Sequence, residues 1–424
     1  MVGCHHRQRN VGAGPTRVAW ACPAIALGCF CSAHGHSIGR SANGGSPRFR
    51  PILARPVDSD AWEVRYNEAF SGAGKIGWLG QPVPGITTDA NRMMRRAASP
   101  VEFCNTMKPV STIVVALGGN AISQSNEEGR VDQQFARSRE AARPLADLVE
   151  SGHQLVVTHG NGPQIGNFML RNEAAAGLIY PLAMEVAVAH VQGGMGFMIA
   201  QSLTNELQRR GRSDIVTAIV TTVLVDLNDP SFQNPTKPVG RELTRAEVER
   251  ERNNADWSVK ETAPGRFRRV VPSPMPLRIV EIEHIRRAVA AGELLVVCGG
   301  GGVPVIRDPE AGYQGVRAVI DKDLASALLA AELGADALMI LTGVDRVKLD
   351  FGKPGERALE YMTVAQARGW MDEGQFPAGS MGPKVQAGIE FLKRSTRPGA
   401  AMFIGPLEAA ADTLAGRIGT RMTR

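Results

Sequence analysis

Three times in this chain a short apolar run rich in β-branched residues ends in a cluster of glycines. The runs are Val114-Val115-Ala116-Leu117-Gly118-Gly119-Asn120, Val156-Val157-Thr158-His159-Gly160-Asn161-Gly162-Pro163 and Val296-Val297-Cys298-Gly299-Gly300-Gly301-Gly302. An uninterrupted apolar run of this length suits a strand buried on both faces, as in parallel sheets covered by helices. Glycines placed directly after it let an anion approach main-chain N–H groups that a Cβ would shield, and the Asn120 amide adds a neutral donor. A single such turn is an ordinary tight turn. Its recurrence predicts several loops lining one end of a sheet.

The rest of the chain supports that reading. Strands predicted at 112–117, 154–158, 215–225, 294–298, 316–320, 337–342 and 401–404 alternate with helices at 133–150, 183–210, 282–291, 324–333 and 363–373. Two more helices are predicted, one ending near 392 and one near 407–414. The alternation implies an α/β fold: a mostly parallel sheet with helices on both faces. Residues 226–276 interrupt it. They are rich in Pro, Asn, Arg and Glu, with one short helical piece near 245–252, and are expected to form a lid over the site. The long helix at 183–210 carries Gly193, Gly194 and Gly196, which suit close packing better than phosphate binding.

Charge and cysteine are concentrated at the amino terminus. The net charge is +6, but residues 1–106 hold 12 Lys+Arg against 6 Asp+Glu, and the remainder holds 36 of each. The excess is no evidence for a nucleic-acid groove. Five of the six cysteines also lie there, leaving Cys298 alone in the body, so a disulfide framework is excluded and a reducing, cytoplasmic compartment is expected. No apolar run reaches about 18 residues, so no membrane span is expected. Residues 1–108 show no sustained periodicity and are read as a disordered or mis-assigned extension, with Met107 as an alternative start. A targeting peptide is the second reading, because Arg7, Arg9 and Arg17 precede an apolar stretch at 18–31. The body then divides into lobes at 109–300 and 301–424.

Three lysines stand out. Lys237 lies between prolines in Pro235-Thr236-Lys237-Pro238, which limits the entropy lost on fixing its side chain. Lys322 is bracketed by Asp321 and Asp323 before a helix, with Asp323 placed where an N-cap belongs. Lys384 falls in a first helical turn, where the macrodipole disfavours a cation unless an anion lies between. His159 has no second ligand at metal spacing and is expected to be a hydrogen-bonded loop histidine. Glycine amides, three placed lysines and no Ser-His-Asp or Cys-His set point to phosphoryl transfer, which needs positioning and charge neutralisation more than covalent help. Neither a P-loop nor a protein-kinase glycine pattern is present.

Taken together, Ala116-Leu117-Gly118-Gly119-Asn120-Ala121, Thr158-His159-Gly160-Asn161-Gly162-Pro163-Gln164, Pro235-Thr236-Lys237-Pro238-Val239-Gly240, Ala318-Val319-Ile320-Asp321-Lys322-Asp323 and Gly379-Ser380-Met381-Gly382-Pro383-Lys384 resemble the carbamate kinases of the amino acid kinase superfamily. The resemblance runs over about residues 110–422. It implies a three-layer α/β/α sandwich, usually a homodimer, that interconverts ATP plus carbamate with ADP plus carbamoyl phosphate, assisted by Mg²⁺. It also implies that Gly118, Gly119, Asn120, Gly160 and Asn161 hold carbamate in the first lobe. Lys237 would reach in from the lid, Lys322 and Lys384 would neutralise phosphates in the nucleotide lobe, and Asp323 would orient Lys322. Many superfamily members carry a lysine on the first strand, where this chain has Ala116; Lys237 is offered in its place. Arg241-Glu242 also departs from the usual lid text. The rival readings are another small-molecule kinase of the superfamily and a non-catalytic nucleotide-binding regulator.

Overall fold

The structure, a computed structural model, describes residues 111–119, 122, 127–250, 258–377 and 379–424. All of them belong to one unit, Val101–Arg424. The readings made for residues 1–108 and for Asn120 lie outside the described residues.

In chain order the strands begin with β1 (Thr112–Leu117), β2 (Gln154–His159), β3 (Val216–Ala218), β4 (Thr222–Leu224), β5 (Lys237–Leu243), β6 (Ser258–Ala263), β7 (Arg266–Val271) and β8 (Arg278–Ile279). They continue with β9 (Leu294–Val296), β10 (Val303–Asp308), β11 (Gly312–Gly315), β12 (Ala337–Thr342), β13 (Val347–Leu349), β14 (Arg357–Leu359), β15 (Tyr361–Thr363), β16 (Ala401–Pro406) and β17 (Thr420–Thr423). The helices are α1 (Val131–Glu150), α2 (Gly162–Ala174), α3 (Met184–Arg209), α4 (Pro230–Gln233), α5 (Arg245–Arg250), α6 (Ile282–Ala290), α7 (Lys322–Leu333), α8 (Val364–Asp372), α9 (Met381–Arg394) and α10 (Ala410–Leu414).

Eight strands form the central sheet in the order β15-β17-β16-β12-β1-β2-β9-β3, and every pairing but β16 with β17 is parallel. β1 lies in the middle. Its Ile113, Val115 and Leu117 pack into one core with α1 and α3, while Val114 and Ala116 pack into a second core with α6, α7 and α9. Period-two alternation on a strand apolar throughout thus produces the predicted three layers, each fully buried Val or Leu contributing roughly 1.5–3 kcal/mol.

Elsewhere the structure departs from what periodicity predicts. The strand expected at 215–225 is broken into β3 and β4. Gln192 of α3 accepts the Thr221 N–H at 2.8 Å and donates to the Thr221 carbonyl at 3.2 Å, so the chain leaves the central sheet there. β4 instead joins a second sheet, β11-β10-β4-β8. Residues 316–320 are no strand: Val316 N–H bonds Pro304 O at 3.1 Å and Val319 N–H bonds Pro272 O at 2.9 Å, single anchors without a ladder. The excursion at 226–276 is more regular than expected, containing the antiparallel sheet β5-β7-β6. β6 is exposed at nearly every position, so it carries no alternating apolar signal.

Candidate active site

β1 and β2 pair in parallel and end side by side, bringing their glycine turns together. Of the five residues expected to hold the anion four are described, and two of these have their amides already engaged. Gly118 N–H donates to Leu341 O at 3.0 Å and Gly160 N–H to Leu117 O at 3.1 Å, each continuing the sheet ladder. Of the two, Gly118 is required for space. A Cβ on Gly118 would stand 2.9 Å from Leu341 O, and one on Gly160 would fill the ground 3.6 Å from both Gly119 N and the Lys322 stem. Gly119 N–H donates to no described residue, and its nitrogen lies beside that ground.

The third glycine turn is a wedge. A Cβ on Gly299 would come 2.2 Å from His159 Nε2, one on Gly300 2.0 Å from Asn161 Nδ2, and one on Gly301 2.4 Å from Ile320 O. The run therefore lets the second glycine turn pack against the Asp321-Lys322-Asp323 loop. Tight packing, more than anion binding, explains it.

On that loop, Asp321 caps α7, its Oδ1 accepting the Asp323 N–H at 2.9 Å. The cap was expected at Asp323. Because Asp321 takes that place, the buried Asp323 carboxylate is left for two lysines: Lys322 Nζ at 2.5 Å from Oδ1 and Lys384 Nζ at 3.0 Å from Oδ2. Lys237, at the start of β5 in the lid, reaches Asp321 Oδ2 at 2.7 Å. Three ammonium groups from the lid, α7 and α9 thus converge on two carboxylates, a net charge of one positive. Sequence reasoning passed over Asp321 as a functional residue, although the Asp-Lys-Asp bracket held the signal.

Burial by itself would raise the Asp323 carboxyl, but the charges of Lys322 and Lys384 outweigh it and hold the group at about 2. Asp321 is likewise held below the ordinary carboxylate range, burial being outweighed by Lys237. Lys322 is pulled down by its burial, with Asp323 offsetting part of the effect. Ammonium groups held partly dehydrated and against one another gain most when a polyanion arrives.

His159 is fully buried, and its Nδ1 lies 3.0 Å from Gly160 O. A carbonyl only accepts, so Nδ1 carries the proton and Nε2 is left without a partner among the described residues. Burial, then the nearby Lys322 charge, lowers its pKa to about 4, and the ring is neutral. Asn161 caps α2 through its backbone position alone; its buried Nδ2 has no partner among the described residues. Cys298 is buried and its thiol is pushed up by that burial, which makes it a packing residue.

The model of the amino acid kinase family matches residues 111–400. The chain belongs to that family. Carbamate kinase from Pyrococcus horikoshii is 44% identical over 313 residues, covering 73% of this chain and 98% of that protein. Carbamate kinase from Clostridium perfringens is 40% identical over 317 residues, covering 74% of this chain and 99% of its own. Among solved structures, carbamate kinase from Giardia lamblia bound to AMP-PNP superposes with a TM-score of 0.69 at 40% identity, over 75% of this chain and 99% of that one. Within the amino acid kinases, the chain groups with the carbamate kinases.

Proposed function

We propose that this protein is a carbamate kinase, transferring a phosphoryl group reversibly between ATP and carbamate. The observation that carries the reading is the convergence of Lys237, Lys322 and Lys384 on Asp321 and Asp323 beside the Gly119 and Gly160 turns. Carbamate is an anion near neutral pH, so its oxygen attacks without a general base. The barrier is repulsion between two anions, which the clustered ammoniums and the Gly119 amide reduce.

In this reading carbamate occupies the ground bounded by Gly119, Gly160 and Lys322, with Gly118 keeping the strand ends close and Asn120 and Asn161 supplying amide donors. Asn161 Nδ2, buried without a partner among the described residues, supports that role. Lys322 and Lys384 hold the nucleotide phosphates, and Asp323 holds both lysines in place. Lys237 exchanges Asp321 for the transferred phosphoryl group. The lobes at 109–300 and 301–424 would hold carbamate and nucleotide respectively. AMP-PNP in the related Giardia enzyme supports ATP and ADP as the nucleotide pair.

Mg²⁺ enters as part of the nucleotide substrate. Asp321 and Asp323 are both tied to lysines, and no group of three or more acidic, His or Cys side chains fit to hold a metal occurs among the described residues. No described helix is long and apolar enough to cross a membrane. A cytoplasmic place in arginine catabolism, making ATP from carbamoyl phosphate, fits the chemistry.

A homodimer is also proposed. β3 ends the central sheet, and beside it the exposed Phe197 and Val220 help line a groove of about 530 Å³. A short unpaired edge with apolar flanks suits a second copy of the chain. Sedimentation of the parent and of Phe197→Glu would test this, a dimer being expected only for the parent.

The deciding assay is ADP-dependent ATP formation from carbamoyl phosphate. Lys322→Ala is expected to lose at least about a hundredfold in kcat; an unchanged rate would remove the assignment.

A further inference from the structure

We propose that Gly166 and Arg269, neither of which reaches the reacting groups, are positioning residues that seat the lid strand so that Lys237 meets the site. The inference rests on the reading of Lys237 as serving phosphoryl transfer.

The first observation is a contact between two backbones. α2 grows directly out of the Gly160-Asn161 turn, and β5, which starts at Lys237, lies against it. A Cβ on Gly166 would sit 2.2 Å from Gly240 Cα and 2.7 Å from Gly240 N, so no other residue fits at 166 while the lid is seated. Gly240 has φ +73 and lies in the register shift between Val239 and Glu242, so the strand bends where it touches the helix. Lys237 is three residues away on the same strand.

The second observation is an ion pair on the same helix. Arg269 of β7 pairs with Val239 of β5, is 8% exposed, and lies 2.5 Å from Glu173 Oε1 near the end of α2. A guanidinium buried that deeply is tolerated only with its counter-charge in place. The pair therefore favours one seating of the lid over others in which Arg269 is buried away from Glu173. Together the two contacts fix β5 to the helix that begins at the carbamate turn. That couples Lys237 to the acceptor lobe, although its carboxylate partner Asp321 belongs to the loop before α7.

The test compares kcat, KM for ADP and thermal unfolding for Gly166→Ala, Arg269→Met and Lys237→Ala, with Lys237→Ala combined with each of the other two. Gly166→Ala and Arg269→Met are each expected to lower kcat on the order of tenfold to a hundredfold, as misplacement of a reacting-site group by about 1 Å does. KM for ADP should stay within about twofold, because the nucleotide lysines lie on other elements. In the Lys237→Ala background neither change should cost further kcat. Losses that multiply in that background, or an Arg269→Met enzyme with parental kcat beside a crippled Lys237→Ala, would overturn the seating role alone. A Lys237→Ala enzyme as fast as the parent would overturn the Lys237 reading and the seating role with it. If Gly166→Ala fails to fold, the Arg269→Met arm decides by the same criteria.

Discussion

Lys237 Nζ lies 2.7 Å from Asp321 Oδ2 across 84 residues of sequence, tying the lid to the cap of α7. The same carboxylate caps the helix with its other oxygen, so its two jobs can be separated. Asp321→Ser keeps a capping hydroxyl and loses the lysine partner, whereas Asp321→Ala loses both. Asp321→Ala is expected to destabilise by about 1 kcal/mol beyond Asp321→Ser, the worth of a cap. Both should lose kcat alike, because Lys237 is released in each. Urea unfolding beside steady-state kinetics checks the split; equal stability would show that the cap contributes nothing.

Asp323 is the only carboxylate bridging Lys322 and Lys384 among the described residues. Asp323→Asn keeps the shape and removes the charge, leaving two mutually repelling cations in a buried site. The expected cost is about 3–5 kcal/mol, as for other buried pairs that lose one partner. ADP supplies replacement negative charge, so saturating nucleotide should raise the melting temperature of this variant more than that of the parent. A smaller rise would place the lysines away from the phosphates.

The pH dependence follows from His159 and Asp323, which act in separate windows. His159 has a pKa of about 4 in the fold against an ordinary 6.5, so between those values the unfolded chain binds a proton the folded chain refuses, and stability falls as pH drops. Asp323, at about 2 against an ordinary 3.8, contributes stability that is complete above the ordinary value and lost as pH falls toward 2. From pH 7.5 to pH 5 His159 acts and Asp323 does not, and the share of His159 is about 2 kcal/mol. Denaturant titrations at the two pH values should show that much less acid destabilisation in His159→Phe than in the parent. The same drop in both would mean His159 is not the group responsible.

How far the sequence reaches depends on what each residue touches. The central strands could be read because Val114 and Val115 face two different cores, so the run is apolar without alternation. The lysines could be read because Pro and Asp neighbours restrain them. β6 could not, because both its faces meet solvent and nothing selects an alternating pattern. Nor could the break between β3 and β4, which a side chain 29 residues away imposes through Gln192 and Thr221. At the site, the glycine turns are legible as turns, but the partners of their amides are not. Gly118 and Gly160 spend their amides on the ladder, and Gly299 and Gly300 exist to admit His159 and Asn161. A contact of that kind is set by tertiary packing and leaves no local pattern.

Gly300 offers the sharpest test of that last point. Its φ is +64, which a side chain tolerates poorly, and an added Cβ would overlap the Asn161 amide at 2.0 Å. The clash would displace the Asn161 side chain, a proposed carbamate donor at the start of α2. Gly300→Ala is therefore expected to cost about 1–3 kcal/mol of stability from overpacking and strain. It should also raise KM for carbamoyl phosphate while leaving KM for ADP nearly unchanged, since Lys322 and Lys384 are held independently by Asp323. Initial-rate kinetics with each substrate varied in turn would read the difference. If the ADP constant rose instead, the wedge would be supporting the α7 loop through Gly301 and Ile320, and the carbamate turn would not depend on it.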